Sequence, residues 1–360
     1  MNTRKEFREH SQLKVKLYES YLRRYLLILG QVKHVKKIAI YEPFAGPGKH
    51  DNGEDGSPLV AWKIINETKC HSSIQKSNPN IQLELWLNDE NKDYTDELKG
   101  LLNPPEKHNI HIHNWTANEF CERLLHAPTN GDTHKLWFID PFGYTQIDYS
   151  VIDNLLSQPH TECFLFVPLS HINRFINSAT KQSDPAHKFL QWRGITNNID
   201  SIESFAECVE KSFRGVNRYC YKFELKHNQN RYYLYFITSH IFGAQKFLEA
   251  RDAILVYEIS QGVISSDEAK RVYDKEMELR FEPKLKEFLK TKRDNLDIYS
   301  FSIESGFLPR ITNSILKKLE KVAQLDIRDI GPPTGKTRRK GAFYIYKDVG
   351  LKIEVTWNGN

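Results

Sequence analysis

No apolar run in the chain comes near the roughly 18 residues that a bilayer-spanning helix needs; the longest, Leu26–Leu29 and Phe164–Pro168, are core-sized fragments. The segment Met1–His10 is charged and lacks the apolar stretch of a secretory signal. The expectation is a cytoplasmic protein with no membrane partner. Cysteine is scarce: Cys70, Cys121, Cys163, Cys208 and Cys220 are widely spaced without a C-x-x-C pair. They specify neither a disulfide frame nor a zinc site, so no metal is expected and most are read as core thiols. An excess of one charge is also missing, since 51 basic and 46 acidic residues leave +5, too little to announce a nucleic-acid binder. What remains is ordinary globular composition, 39% hydrophobic and 27% charged over 360 residues, with room for two domains.

The pattern opens with a helix over Ser11–Leu29, where Tyr18, Tyr21, Leu22, Tyr25, Leu26 and Leu29 recur at three- and four-residue spacing. Its basic face, Lys14, Arg23 and Arg24, is expected to stay wet. Short apolar strands then alternate with helical stretches: Ile38–Tyr41, Ile81–Leu87, Ile110–His113, Leu136–Ile139 and Cys163–Val167. That rhythm predicts a parallel sheet with crossover helices. Lys222–Lys226 and Tyr232–Thr238, separated by Asn228-Gln229-Asn230, predict an antiparallel hairpin closing the sheet's edge. A helical insertion over about 171–215 reads as a lid or cap. Toward the C-terminus, helices Pro283–Leu289, Tyr299–Ser305 and Pro309–Lys321 and strands Gln324–Arg328 and Ala342–Tyr346 predict a winged helix-turn-helix. The expected division is 1–275 for an α/β Rossmann-like domain and 276–360 for the winged helix.

The richest segment follows the first strand: Glu42-Pro43-Phe44-Ala45-Gly46-Pro47-Gly48, then Ser57-Pro58 as N-cap and first turn of a helix. A Gly-x-Gly turn directly after a strand lets backbone approach a ligand where a Cβ would collide. The dinucleotide fingerprint wants another glycine three positions on, where Asp51 stands, so NAD is disfavoured. An acid at the strand's end, Glu42, suits the cationic S-adenosylmethionine better than a pyrophosphate, which it would repel. The same residues also suit a plain glycine turn.

The second strand ends at Asn88-Asp89, where a carboxylate can accept hydrogen bonds from ribose hydroxyls, or equally cap a helix. The fourth ends at Asp140-Pro141-Phe142, where an acid beside an aromatic ring can hold an exocyclic amine and stack its base, or simply start a turn. All these sites lie at strand ends, where open parallel sheets bind ligands. Histidines 111 and 113 share a strand face, but without a third ligand nearby they are read as packed or exposed. Gly331–Thr337 imitates a phosphate loop with one residue too few between its glycines, and is not read as an ATP site. The third C-terminal helix is expected to present Arg310, Asn313, Ser314, Lys317 and Lys318 beside a basic wing carrying Lys336, Arg338, Arg339 and Lys340. Together these could contact nucleic acid or a protein.

The run Tyr41–Gly48, Gly56–Pro58, Phe138–Gly143, Tyr232–Phe236 and Thr238–His240, in that order, resembles the bacterial three-Cys-motif partner proteins from roughly Ser11 to Lys347. That family in turn resembles class I S-adenosylmethionine-dependent methyltransferases. The resemblance implies a separate partner, a radical-type protein bearing the three cysteines. Asn88-Asp89 and Asp140–Gly143 are similar to motifs of tRNA guanine dimethyltransferases, and Asp140-Pro141 to the Asp/Asn-Pro-Pro-aromatic motif of amino methyltransferases, with Phe142 in the second proline's place. Carried over residue by residue, Glu42, Gly46 and Gly48 would hold the cofactor's methionine part and Asp89 its ribose, with Phe44 and Ala45 of the same loop also binding the cofactor. Asp140, Pro141 and Phe142 would take the acceptor amine. The third-strand segment Asn114–Asn118 departs from the pattern, leaving Thr116 or Asn118 to contact the adenine.

Two functions are therefore expected: a methyltransferase acting on a nucleobase nitrogen in RNA or DNA alongside that partner, or a non-catalytic nucleic-acid-binding adaptor that delivers substrate to it.

Overall fold

The computed structural model describes residues 3–102, 109–126, 133–141, 143, 146–169, 172, 185–195, 201–215, 217–227, 230–261, 264–330, 338–346 and 352–359. The chain forms two compact units, Met1–Gly243 and Ala244–Asn360.

The first unit is built on a seven-stranded sheet: β1 (Lys37–Glu42), β2 (Gln82–Asn88), β3 (Ile110–His113), β4 (Thr133–Ile139), β5 (Thr161–Val167), β6 (Tyr219–His227) and β7 (Asn230–Thr238). Their order is β3-β2-β1-β4-β5-β7-β6. The pairs from β3 to β5 are parallel, whereas β7 runs antiparallel to both β5 and β6. This is a mixed α/β, Rossmann-like sheet. Five of the six residues of β1 are buried, as a central parallel strand covered on both faces requires.

One face is covered by α1 (Thr3–Gly30), whose Tyr18 packs on Phe138 at 4.3 Å between ring centroids and whose Tyr21 packs on Phe236 at 4.6 Å. α2 (Ser57–Lys69) packs beside α1 and carries the chain onward, followed by α3 (Ser72–Ser77). α4 (Lys92–Leu102) joins β2 to β3. The other face is covered by α5 (Ala117–Leu125), α6 (Tyr149–Leu156), α7 (Pro185–Arg193) and α8 (Ile202–Phe213). Helices α7 and α8 were expected to form a cap. Instead Phe189, Leu190, Phe205, Val209 and Phe213 are buried in one core with Leu165, Tyr233 and Tyr235. The reason is apolar: these side chains complete a sheet face that α5 and α6 leave uncovered.

Lys14 does not stay wet. Its side chain is only 12% exposed, with its ammonium on Asp140, while Arg23 is paired with Glu19 and Glu67. Three of the five thiols, Cys121, Cys163 and Cys220, are buried, and that burial pushes each thiol well above its ordinary range, so they are core groups rather than nucleophiles.

The second unit holds most of α9 (Ile241–Ser260), then α10 (Ser266–Phe288), β8 (Arg293–Asp294), α11 (Asn295–Glu304), α12 (Pro309–Lys321), β9 (Leu325–Asp329) and β10 (Ile353–Trp357). Its sheet has the order β8-β10-β9, all antiparallel. Pro283 was expected to open a helix but lies inside α10. The carbonyl four residues earlier, which loses its donor, belongs to Leu279, an exposed position that water can reach. Ala342–Tyr346 was expected as a strand and is irregular. Gly341 at φ +78° and Tyr344 at φ +53° break the extended path, and the Asn295 amide fixes the turn by donating to the Tyr344 carbonyl at 3.0 Å. The third strand is Ile353–Trp357, where Ile353 and Val355 alternate inward. Among the described residues, no helix is long and apolar enough to cross a membrane.

Candidate active site

The strand order places β1 and β4 side by side at the point where successive connections turn in opposite directions, and in such sheets the crevice outside the carboxyl ends is where ligands bind. Glu42 ends β1, Asp89 follows β2, Trp115-Thr116 follow β3 and Asp140 follows β4.

The loop after β1 is held by backbone and carboxylate together. The Ala45 N–H donates to the Asn88 carbonyl at 2.8 Å, and the Gly46 N–H donates to Asp89 Oδ2 at 2.9 Å. Asp89 Oδ1 accepts the Asn91 N–H at 2.9 Å. Asp89 thus ties the two strand ends together. Gly46 has φ +65°, and a Cβ built on it would meet nothing within 4 Å, so open space lies beside the loop. Gly48, at φ +91°, has a backbone conformation that favours glycine, and a Cβ there would also press on the tip of Leu98 of α4 at 2.8 Å. From Lys49 to Asp55 the chain makes a small hairpin closed by the Gly56 N–H on the Gly48 carbonyl at 2.7 Å.

Glu42 is completely buried, and both its oxygens are engaged: Tyr18 Oη donates to Oε1 at 3.0 Å and Ser57 Oγ donates to Oε2 at 2.6 Å. Burial pushes its carboxyl up to about 7, with the neighbouring Asp140 charge adding to the rise and the two hydroxyl donors opposing it. Ser57, expected as the N-cap of α2, is its first residue. Gly56 is the N-cap and makes no side-chain bond, while the Ser57 hydroxyl turns to Glu42 because a buried carboxylate is the stronger acceptor.

At the end of β4, the Asp140 carboxylate accepts a charged hydrogen bond from Lys14 of α1, with the Asp140 side chain 23% exposed. Pro141 is buried; Phe142 lies outside the described residues. Thr116 is exposed and caps α5, its hydroxyl accepting the Glu119 N–H at 3.2 Å, and Asn118 Oδ1 accepts the Asp148 N–H at 2.8 Å. Phe44 is partly buried, packed on the core.

Asn88 was quoted only as part of a motif, yet it staples three strand ends. Its Nδ2 donates to the carbonyls of Pro43 at 3.1 Å and Trp115 at 3.0 Å, and its Oδ1 accepts the Trp115 N–H at 3.0 Å. Replacing it with alanine leaves these buried backbone groups without partners, at about 1–3 kcal/mol each before water re-enters. Asn88→Ala is therefore expected to lower the thermal midpoint by several degrees, measured by calorimetry; an unchanged midpoint refutes the staple. Lys14 and Tyr18 were also missed as site residues, since their partners stand 126 and 24 residues away. Histidines 111 and 113 are stacked among Trp86 and Trp115, at 3.7 Å for Trp86–His111 and 4.0 Å for His113–Trp115.

The basic residues of the second unit divide in two. Arg310 donates to Asp252 at 2.8 Å and to Asp274 at 2.9 Å, in a cluster where Tyr273 also donates to Asp252 at 2.7 Å. Arg338 is paired with Glu320, its side chain 15% exposed, and Lys318 with Glu278. Lys317, Arg339 and Lys340 are exposed; Lys336 and the segment Gly331–Thr337 lie outside the described residues.

No protein-family model matches the chain, and no curated protein matches it.

Proposed function

We propose that the chain is an S-adenosylmethionine-dependent methyltransferase acting on a nucleobase nitrogen in RNA or DNA. The observation that carries this reading is the gathering of Glu42, the Gly46 loop, Asp89 and Asp140 at the carboxyl ends of β2, β1 and β4, with Gly46 bonded to Asp89 and Asp140 close enough to raise Glu42. The reversed β7 between β5 and β6 departs from the parallel dinucleotide-binding order 3-2-1-4-5-6 and agrees with the class I methyltransferase sheet that the resemblance implies.

The residues fit the cofactor in part. Open space beside Gly46 admits a ligand, and Asp89, with each carboxylate oxygen accepting one backbone N–H, keeps lone pairs for ribose hydroxyls. Glu42 shapes the loop and the local charge from behind, having no exposed surface. When bound, the cofactor supplies a methyl group carried on a sulfonium. Asp140 then holds the acceptor amine in line, and alignment does most of the catalytic work. Pro141 keeps the Asp140 turn rigid; stacking of the base is the role that the resemblance gives Phe142.

From α10 onward the second unit's succession of helix, strand, two helices and two strands supports reading it as a winged helix, which would carry the polymer. Lys317, Arg339 and Lys340 are the bases left to meet phosphates; Arg310 and Arg338 hold the fold. Arg339→Glu with Lys340→Glu is expected to weaken RNA or DNA binding and flatten its salt dependence by about two units of slope in log K against log salt. An unchanged slope in a filter-binding titration removes these residues from the interface. The particular protein proposed is the partner of a three-cysteine radical-type protein. The separate thiols here, three of the five buried, suit a pair in which those cysteines belong to the other member.

Calorimetry with S-adenosylmethionine, followed by tritiated methyl transfer to bulk RNA and DNA, tests the enzyme. A second reading, the substrate-delivering adaptor, is favoured by Lys14 occupying Asp140, and cofactor binding without transfer to any polymer would select it.

A further inference from the structure

We infer that Lys14 is the resident occupant of the acceptor-amine subsite, a placeholder that a nucleobase bearing an exocyclic amine must displace. The inference rests on the reading of Asp140 as the acceptor carboxylate. The Lys14 ammonium donates to Asp140 and stands 4.7 Å from the ring centroid of Phe166 on β5, whose face in turn stacks near Tyr232 at 5.8 Å. A carboxylate that accepts N–H donors and an adjoining aromatic face are the two features by which a planar amino base is held. Here one lysine uses both.

The helix that brings Lys14 there is anchored on either side of it. One turn further along, Tyr18 is completely buried with its hydroxyl on Glu42, and two residues earlier Gln12 reaches Glu54 in the loop after β1. The ammonium itself is less committed. With side chains 12% and 23% exposed, Lys14 and Asp140 form a part-buried pair that is not sealed off from solvent. The four-carbon stem lets the charge swing out while α1 stays in place. Occupied, the subsite has its Asp140 charge neutralised beside the buried Glu42. Vacated, it presents a carboxylate to an exocyclic N–H₂; the ring N–H of uracil or hypoxanthine lies beside a carbonyl oxygen that the carboxylate repels, so cytosine, adenine and guanine are selected.

The test uses the full chain without cofactor and equilibrium binding of cytidine, adenosine and guanosine, with uridine and inosine as controls. Lys14→Met keeps the stem and removes the charge. The variant is expected to bind at least one amino nucleoside about tenfold tighter than the wild type, because the share of molecules with a vacant subsite rises. Uridine and inosine should not change. Equal gains for the controls, no gain, or weaker binding of the amino nucleosides overturns the inference. A second measurement leaves the sequence intact: labelling of Lys14 by an amine-acetylating reagent, mapped by peptide mass, should rise when the tightest amino nucleoside is added. Unchanged or reduced labelling overturns it as well. Calorimetry with S-adenosylmethionine reports separately on the methyltransferase reading, so a tighter variant with no cofactor heat would keep the placeholder and discard the enzyme.

Discussion

On the proposed function, Asp140→Ala is expected to abolish methyl transfer while S-adenosylmethionine binds with nearly unchanged affinity. The carboxylate lies after β4, separated from the Gly46–Asp89 contact that shapes the proposed cofactor cradle, so its loss removes the amine's acceptor and leaves the cradle standing. A misaligned acceptor costs on the order of a hundredfold in rate for a displacement of about 1 Å, and more when nothing holds it. Tritium counts at background with intact cofactor heat are the expected pair of results. Full turnover by Asp140→Ala would mean the acceptor site lies elsewhere. The variant also frees Lys14, so the double variant with Lys14→Met separates loss of the acceptor from the effect of an unpaired ammonium.

The second large effect is on stability. Glu42 and Glu162 are both buried carboxyls pushed up to about 7, each chiefly by burial. Glu162, near the start of β5, accepts from the Tyr21 hydroxyl and from Thr238 Oγ1 at 2.8 Å, and the absence of a side chain at Gly243 leaves room for it. For a carboxyl whose folded value is raised, the folded state binds the proton more tightly than the unfolded one. Its stabilising contribution is therefore complete below the ordinary value of 4.5 and is lost as pH rises through about 7. Each group loses on the order of 3 kcal/mol across that window. The thermal midpoint of the first unit should fall by several degrees between pH 5 and pH 8. Glu162→Gln, which mimics the neutral acid, should match the wild type near pH 5 and exceed it at pH 8. If its midpoint follows the wild type at both values, Glu162 does not titrate in this window.

Where residues act on their chain neighbours, the sequence was readable. Alternating apolar runs placed all seven strands of the main sheet, and Ile110–His113 and Pro309–Lys321 match their elements end to end. Gly46 was legible because a left-handed turn after a buried strand calls for glycine. The places of Asp89 and Asp140 just after β2 and β4 were legible because the apolar runs before them mark the strands. Pairings between distant segments were not. Lys14 looked like a solvated base because its partner Asp140 lies on another element far along the chain, and Arg310 looked like a phosphate contact because Asp252 and Asp274 lie on other helices.

The sequence by itself determined the succession of strands and helices, the turn after β1 and the acids at the strand ends, since local sterics and hydrophobic periodicity act over a few residues. Only the tertiary structure decided that β7 reverses between β5 and β6, that α7 and α8 complete the core, that Asn88 joins three strand ends, and which charges are spent on one another. Those outcomes depend on which apolar faces meet when the whole unit packs, and a carboxylate takes whatever donor that packing brings within reach.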